Sequence, residues 1–202
     1  MYNNISNHRK NMTDRLRITV SGIRGKVPEA LDVDVASRFA SAFASYLEEG
    51  RIAVCRDYRF SSEMLSRAAA SAILAAGLDC IDFGQIPISF LQFHLTRSGC
   101  TGGLAVSAGH NPLPWNALVL LGEEGYYLEA TEGPEVFNIY EAGNFQKKGW
   151  EDLGSVEPQV FPLDLYLESL AGLIDLPRLR GAGFKLVADP CNGVVSPYLD
   201  AY

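Results

Sequence analysis

Residues 51–83, RIAVCRDYRFSSEMLSRAAASAILAAGLDCIDF, contain the pattern that decides the fold. Arg51–Cys55 is a short apolar run, typical of a buried strand. Ser61 is placed to cap an alanine-rich helix over Ser62–Ala76, which a glycine follows. Leu78–Phe83 is a second apolar run. The stretch therefore predicts a strand, a helix and a strand in succession, the unit from which α/β folds are built.

The same alternation extends on both sides, from about Thr19 to Ala142. Upstream, either Asp32 or Asp34 is placed to cap an amphipathic helix that ends by Gly50. Downstream, the pattern predicts a helix over Ile88–Ser98, strands over Gly103–Val106 and Ala117–Leu121, a turn over Gly122–Gly125, and a helix over Thr131–Ala142. These elements predict a three-layer α/β/α domain with a mixed, mostly parallel sheet, in which the hairpin at the turn is antiparallel.

The composition of the chain excludes several classes of protein. Among 202 residues, 48% are hydrophobic and 20% are charged, so the chain is neither disordered nor fibrous. Its net charge of −7 and lack of a basic run argue against nucleic acid or an anionic membrane as a partner. No apolar run approaches the ~20 residues of a membrane span. The four cysteines lack a C-x-x-C pair, which predicts reduced thiols, no zinc site and a cytoplasmic protein.

Past about residue 142 the alternation gives way to a different pattern. Gly143–Gln159 resembles a loop, and an amphipathic helix follows, with Pro162 near its start and Pro177 after its end. Phe184–Ala188 is interpreted as a new buried strand, and Ser196–Tyr202 as the opening of a helix. We therefore expect a disordered leader over 1–16, one domain over 17–150, a connecting segment over 151–183, and the truncated start of a second domain over 184–202.

Three polar motifs fall where ligands bind in α/β sheets, near the carboxyl ends of strands. They are Ser21–Gly25 (SGIRG), Arg56–Ser62 (RDYRFSS) and Ser107–Pro112 (SAGHNP). Taken singly, each motif is also compatible with an ordinary surface turn or a helix start with local ion pairs. The first offers an arginine that pairs with a phosphate or carboxylate, and the third brings a hydroxyl, an imidazole and an amide into one turn.

In this order, and followed by Trp115–Leu118 (WNAL), the three motifs resemble those of the α-D-phosphohexomutase superfamily, which includes phosphoglucomutase, phosphomannomutase and phosphoglucosamine mutase. The family pattern runs T/S-G-I-R-G, G-R-D-x-R-x-S-S and T-A-S-H-N-P. The resemblance spans about Ile18 to Leu128 and implies the α/β/α first domain of that family. Lys185–Gly193 also resembles the opening of the family's second domain.

The resemblance implies a reaction in which a phosphoserine exchanges its phosphoryl group with C1 and C6 of a hexose phosphate. It implies Mg²⁺ held by second-domain aspartates, for which this chain has no ligands, and glucose 1,6-bisphosphate as activator. It also implies that a hexose phosphate or free phosphate would be bound by Ser21, Arg24, Arg56, Arg59, His110 and Asn111. Arg24 and His110 are assigned to the catalytic surroundings as well, while Arg56, Asp57 and Arg59 are expected to be mostly structural.

The chain departs from the family pattern at two positions. Gly109 occupies the position of the nucleophilic serine and has no side chain to carry a phosphoryl ester. Ser107 is the possible substitute, but it lies two residues upstream, about 6–7 Å away in an extended chain. Where the family has a lysine after N-G-I or N-A-L, this chain has Val119, which supplies neither a proton nor a charge.

Two classes of function remain open from the sequence. In the first, the chain is the N-terminal part of a phosphohexomutase that is not competent for catalysis by itself. In the second, it is a non-catalytic module that binds a phosphosugar or a partner protein. The apolar residues past about residue 164 must be buried, so self-association through the surface left by missing domains is a further expectation.

Overall fold

The computed structural model describes residues 16–201; the expected leader over 1–16, apart from Leu16, and Tyr202 therefore lie outside the described residues. The elements along the chain are β1 (Arg17–Thr19), β2 (Gly22–Lys26), α1 (Val33–Leu47), β3 (Arg51–Arg56), α2 (Phe60–Ala75), β4 (Asp79–Gln85), α3 (Ile88–Ser98), β5 (Gly102–Val106), β6 (Trp115–Gly122), α4 (Glu132–Ala142), β7 (Val156–Pro158), α5 (Leu163–Ala171), α6 (Leu176–Gly181) and a 3₁₀ helix (Ser196–Ala201).

The strands form one sheet in the order β1-β2-β6-β5-β3-β4-β7. From β5 through β3 and β4 to β7 neighbouring strands are parallel, whereas β1, β2, β6 and β5 pair in antiparallel fashion. The turn after β6 adds a single antiparallel bridge between Leu121 and Tyr127. The predicted α/β fold with a mixed sheet is confirmed. Because β3 and β5 are parallel neighbours, their carboxyl ends lie side by side, and the loops that follow them begin at the same end of the sheet.

Helices cover both faces of the sheet, as predicted. The side chains of α1, α2 and α4 pack against one face, where Phe39 and Phe43 are fully buried. Those of α3 pack against the other face, together with Phe161. Strand β5 serves both cores, since Leu104 points to the first and Ala105 to the second. This alternation is the period-2 pattern of a strand buried on both faces.

The helix boundaries follow from local hydrogen bonds. Asp32, not Asp34, caps α1, because its carboxylate accepts a hydrogen bond of 2.9 Å from the backbone N–H of Val35. The expected cap at Ser61 is wrong, because α2 begins at Phe60. The residue at the cap position is Arg59, which makes no side-chain capping bond; Asp57, just before it, accepts hydrogen bonds from the Arg59 N–H at 3.0 Å and from the Ser62 hydroxyl.

Three other expectations about local structure are corrected. Most of the SGIRG motif is strand β2 rather than a loop, since it pairs with β6. The segment taken as a loop over 143–159 contains β7, which extends the sheet beside β4. Phe184–Ala188 is not a buried strand: Leu186 is 90% exposed and Val187 is 100% exposed. An apolar run becomes a strand only beside a partner strand, and none pairs with this run within residues 16–201.

The connecting segment also differs in detail from the sequence expectation. Helix α5 ends at Ala171, and Pro177 lies in the first turn of α6 rather than after a single long helix. The segment is attached to the α3 side by Phe161, whose ring stacks on that of Phe90 at 4.4 Å; Tyr198, which lies after the segment, meets the Phe90 ring at 4.8 Å. The 3₁₀ helix therefore packs on the first domain through Tyr198.

The cysteines behave as core residues. Cys55, Cys80 and Cys100 are buried free thiols, as predicted, whereas Cys191 is exposed. Burial raises the pKa of Cys80 to about 12 and also raises that of Cys55, so both stay protonated at neutral pH. Within residues 16–201, no helix has the length and apolar character required to cross a membrane.

His94 on α3 gives the fold a predicted dependence on pH. Its ring meets Phe83 edge-on at 4.5 Å, and its Nε2 is buried without a hydrogen-bond partner among the described residues. Desolvation, with a smaller effect of Arg51, lowers the pKa of His94 below its usual value. The unfolded chain therefore binds this proton first, and the free energy of unfolding should fall as pH drops through about 6.5.

Urea unfolding at pH 7.5 and pH 5.5 measures this effect, with His94→Gln as the comparison. We expect the acid-induced loss of stability to be smaller in His94→Gln, because glutamine does not titrate. An equal loss in both proteins would contradict the role assigned to His94.

Candidate active site

The three motifs meet at the end of the sheet where the carboxyl ends of β3 and β5 lie. Arg56 at the end of β3 is aligned with Val106 at the end of β5, and the Asp57 N–H donates to the Val106 carbonyl at 3.0 Å. The Ser107 N–H donates to the Ala117 carbonyl at 3.0 Å, and Arg24 on β2 is the strand partner of Ala117. The loop after β5, residues 107–114, thus lies between the first two motifs; we call it the SAGHNP loop.

Arg59 holds the SAGHNP loop by its backbone. Its guanidinium lies 3.5 Å from the Asp57 carboxylate, and the Arg59 side chain is only 13% exposed. The guanidinium donates hydrogen bonds to four carbonyl oxygens, those of Gly109 at 2.9 Å, Pro112 at 2.9 Å, Trp115 at 3.1 Å and Asn111. With its donors used in this way, Arg59 fixes the path of the loop, as expected of a mostly structural residue.

Asp57 and Asn116 complete the support of the loop. The second Asp57 carboxylate oxygen accepts from the Ala108 N–H at 3.3 Å. Asn116 is fully buried, donates to the hydroxyls of Ser61 and Ser62 at 2.8 Å, and accepts from a backbone N–H. Asn116 was not among the sequence candidates; the signal for it was an asparagine inside an apolar strand, because a buried amide requires partners.

Gly109 lies at the exposed tip of the SAGHNP loop in a left-handed conformation, with φ of +56°. Its N–H faces the Ser107 hydroxyl oxygen at 3.5 Å. A Cβ built at Gly109 would have no heavy atom of the surrounding structure within 4 Å. Space for a side chain is therefore present at this position, although a side chain other than glycine is strained at this φ.

The other candidate residues in the loop, His110, Asn111 and Ser107, have different surroundings. His110 is exposed, and its ring makes no hydrogen bond with residues 16–201. The Asn111 amide donates to the Ala108 carbonyl at 2.6 Å, so it closes the loop on itself. Because nothing approaches a Gly109 Cβ within 4 Å, the Ser107 hydroxyl lies farther than that from the place a side chain at 109 would begin.

The remaining cationic candidates lie on the strands. The Arg24 guanidinium donates to the Ser21 carbonyl at 3.0 Å, and its Nε is buried without a partner among the described residues. The Ser21 hydroxyl lies 3.2 Å from that of Thr19. Arg56 faces the Asp82 carboxylate at 4.0 Å, and its side chain is 18% exposed. The Arg56 Nε is likewise buried without a partner among the described residues, so both arginines keep one unpaired donor.

Val119 lies in the hydrophobic core rather than at the end of the sheet where the three motifs meet. It is 4% exposed, belongs to the core beneath α3, and is aligned with Ala105. Its methyl group would lie 3.2 Å from a Cβ on Gly22, so β2 packs closely against it. The valine is thus matched to an apolar, tightly packed environment.

The residues around the SAGHNP loop do not fit the Mg²⁺ ion that the resemblance implies. Magnesium prefers several oxygen ligands in octahedral geometry. In the part of the chain that the structure describes, no three His, Cys, Asp or Glu side chains are grouped so that they could hold a metal. Asp57 beside the loop accepts hydrogen bonds from Ser62 and from two backbone N–H groups.

Comparison with known proteins identifies the class. Residues 15–147 match the family described as phosphoglucomutase/phosphomannomutase, alpha/beta/alpha domain I. The match covers more than half of the chain and includes all three motifs. The chain belongs to the phosphoglucomutase/phosphomannomutase family, and its α/β/α domain is domain I of that family.

Relatives of known name agree with this assignment. The chain is 32% identical over 182 residues to a protein of Pyrococcus abyssi named "Probable phosphoglucosamine mutase". It is 34% identical over 183 residues to the phosphomannomutase of Salmonella typhimurium. In both cases the match covers 89% of this chain and 39% of the relative. The chain therefore spans about two fifths of the length of these relatives.

Solved structures support the same fold. A phosphoglucomutase/phosphomannomutase family protein from Burkholderia thailandensis superposes with a TM-score of 0.64 at 26% identity, over 77% of this chain and 36% of that one. The phosphoglucomutase pp63/parafusin from Paramecium superposes with a TM-score of 0.70 at 16% identity, over 91% of this chain and 40% of that one. At that identity the second likeness concerns the fold alone.

Arg59→Met tests the role of Arg59 in holding the loop. The substitution removes four hydrogen bonds to carbonyl groups, two of them partly buried, and leaves Asp57 without its cationic partner, so we expect the free energy of unfolding to fall by about 3 kcal/mol. Arg67→Met is the matched control, because Arg67 is 79% exposed and pairs with Glu63 on the helix surface. Urea unfolding of both variants measures the difference, and equal stabilities would contradict the assigned role.

Val119→Lys tests whether the valine environment is apolar. An ammonium group placed in this core lacks partners, so we expect a loss of about 3 kcal/mol in the free energy of unfolding. The control is Val187→Lys, at a fully exposed position. Thermal and urea unfolding check the result; a stable Val119→Lys protein would mean that the site accommodates a charge.

Proposed function

We propose that this chain is the serine-loop domain of a phosphohexomutase-type protein whose SAGHNP loop has lost its nucleophile. The observation that carries the proposal is Gly109 at the loop tip, in the place where the family motif has its serine. The loop that contains Gly109 has supporting contacts: Arg59 donates hydrogen bonds to its carbonyl groups, and the Asp57 carboxylate accepts one from the Ala108 N–H. On this proposal the chain retains the architecture for phosphoryl transfer on hexose phosphates but does not catalyse it.

The chemistry of the reaction supports this interpretation. A phosphoserine mechanism requires a hydroxyl oxygen that accepts a phosphoryl group from one carbon of the sugar and returns it to another. Reacting atoms must approach within about 3–3.5 Å. Glycine supplies no such oxygen, and Ser107 lies below the loop tip with its hydroxyl turned to the Gly109 N–H. Val119 adds no acid or base, because it is an apolar core residue.

A second candidate is non-covalent binding of a phosphate or hexose phosphate at the same loop. The observation that favours it is the buried, unpaired Nε of Arg24, together with the open space at Gly109 and the exposed His110 ring. Backbone N–H groups exposed beside a glycine form anion-binding concavities. An arginine with a free donor is suited to a phosphate oxygen. Here the chain would recognise the phosphate group without forming a bond to it.

Intact-mass analysis after incubation with glucose 1,6-bisphosphate tests the loss of the nucleophile. We expect no phosphoryl adduct and no mutase activity in the unmodified chain. Gly109→Ser is the comparison, and we expect it to remain folded with a loss of about 1 kcal/mol, since its side chain has space but an unfavourable φ. A phosphoryl adduct or turnover in the unmodified chain would overturn the proposal.

Phosphate titration tests the second candidate. We expect the backbone amide signals of residues 108–111 to shift with inorganic phosphate or glucose 6-phosphate. Arg24→Gln should weaken the binding, whereas Lys147→Gln at an exposed position far along the chain should not. Equal binding by both variants would exclude Arg24 from the site, and no shift at any concentration would exclude the site itself.

A further inference from the structure

Arg17 and Arg24 form a pair of like charges across two strands. The two residues are direct partners in the antiparallel pairing of β1 with β2, so their side chains leave the same face of the sheet. The ion pairs among residues 16–201 involve other arginines, and neither of these two guanidinium groups has a carboxylate of that part of the chain within 4.0 Å. Like charges directly opposite one another repel. An anion bound on this face would relieve the repulsion.

Trp115 holds the guanidinium of Arg17 beside the SAGHNP loop. Trp115 is the strand partner of Lys26, which lies two residues after Arg24 on β2, so its side chain shares the face of the two arginines. The Cζ atom of Arg17 lies 4.7 Å from the centre of the Trp115 ring. Since β2 separates β1 from β6, the Arg17 side chain crosses β2 to reach the ring. The positive charge is thus held next to the residue that follows the loop.

Trp115 is itself fixed in place. It is only 8% exposed, its carbonyl accepts a hydrogen bond from Arg59 at 3.1 Å, and its backbone N–H donates to the Pro112 carbonyl at 2.9 Å. A guanidinium that lies over an aromatic ring is stabilised by the ring and keeps its N–H donors. Arg17 is exposed, and its guanidinium donates no hydrogen bond to residues 16–201. Its donors are therefore available to a ligand.

The two arginines are directed to different ends of β2. The Nη2 atom of Arg24 donates to the Ser21 carbonyl at 3.0 Å, just before β2 begins. Arg17 lies over Trp115, beside the end of β2, where the backbone N–H of the next residue donates to the Pro114 carbonyl at 2.8 Å. Pro114 is the last residue of the SAGHNP loop. Arg17 therefore adds positive charge at the loop from a position that none of the three motifs includes.

We propose that Arg17 binds phosphate at the SAGHNP loop and that Trp115 is the residue that positions it. The ligand class is a phosphate group, free or carried by a sugar, because a planar guanidinium donates paired hydrogen bonds to two phosphate oxygens. Contact with a fixed indole ring limits the conformations of Arg17 before the ligand arrives, which lowers the entropic cost of binding. This inference rests on the phosphate binding proposed for the same loop and adds a residue to it.

Titration of the full chain, followed by the backbone amide signals of residues 108–111, tests the contact. Arg17→Met keeps the aliphatic part of the side chain and removes the charge, so we expect the Kd for inorganic phosphate to rise about tenfold or more. The Kd for glucose 6-phosphate should rise by the same factor, because the contact is to the phosphate group. Arg97→Met is the matched control. Arg97 is exposed and lies 4.0 Å from the centre of the Phe93 ring on α3, so this variant loses the same charge and the same type of ring contact and should bind like the unmodified chain.

The role of Trp115 has its own test. Trp150 is 82% exposed, and Trp150→Phe leaves Trp115 as the only tryptophan of the chain. In this background the indole N–H signal of Trp115 should shift when phosphate is added, and Arg17→Met should abolish the shift. Trp115→Phe keeps an aromatic face and should retain most of the binding, whereas Trp115→Leu should raise the Kd as much as Arg17→Met does. Combining Arg17→Met with Trp115→Leu should raise it no further, a result that a purely structural role of Trp115 does not give.

The outcomes separate this inference from the proposed function. If Arg24→Gln weakens phosphate binding and Arg17→Met does not, the role of Arg17 is wrong and phosphate binding at the loop stands. If the unmodified chain binds no phosphate, both are wrong. A loss confined to glucose 6-phosphate would assign Arg17 to the sugar and would also overturn the inference. If Trp115→Leu does not fold, Trp115→Phe and the indole signal decide the role of the ring.

Discussion

The guanidinium of Arg59 is the contact on which the candidate site depends. Besides its internal hydrogen bonds, the SAGHNP loop is held by the hydrogen bonds that Arg59 donates to four carbonyl oxygens between Gly109 and Trp115. Arg59 is held in turn by Asp57, which also fixes the Ala108 N–H. The sheet contributes by placing the ends of β3 and β5 side by side. Side chains of the second motif, RDYRFSS, thus hold the backbone of the third, SAGHNP.

Most of the fold and the positions of the motifs could be predicted from the sequence. Apolar runs, alanine-rich stretches and glycine stops depend on short-range physics, and they located the helices and central strands to within a few residues. What could not be predicted depends on distant partners. Phe184–Ala188 resembles a strand but finds no neighbour to pair with among residues 16–201, whereas β7 is only three residues long (VEP) and is a strand because β4 lies beside it.

The sequence could predict that the three motifs lie together, but not how their residues divide the contacts among themselves. Three motifs in order identified the loop, yet the sequence could not tell which arginine is used up internally. The structure distinguishes them: Arg59 donates its hydrogen bonds to the loop, whereas Arg24 and Arg56 each keep one buried donor unpaired. Asn116 was missed because its role arises only when β6 passes the start of α2. Such roles depend on contacts between elements more than fifty residues apart.

The left-handed conformation of Gly109 has a consequence for how such a domain changes over generations. Its φ of +56° favours glycine over any residue that carries a Cβ, and the loop is held by carbonyl groups that every amino acid possesses. Exchange of a serine for glycine here relieves strain and breaks no contact. Folding therefore exerts no pressure for a serine at this position. On the function proposed above, catalysis alone would keep one there, and a stable domain could be inherited unchanged once that demand lapses.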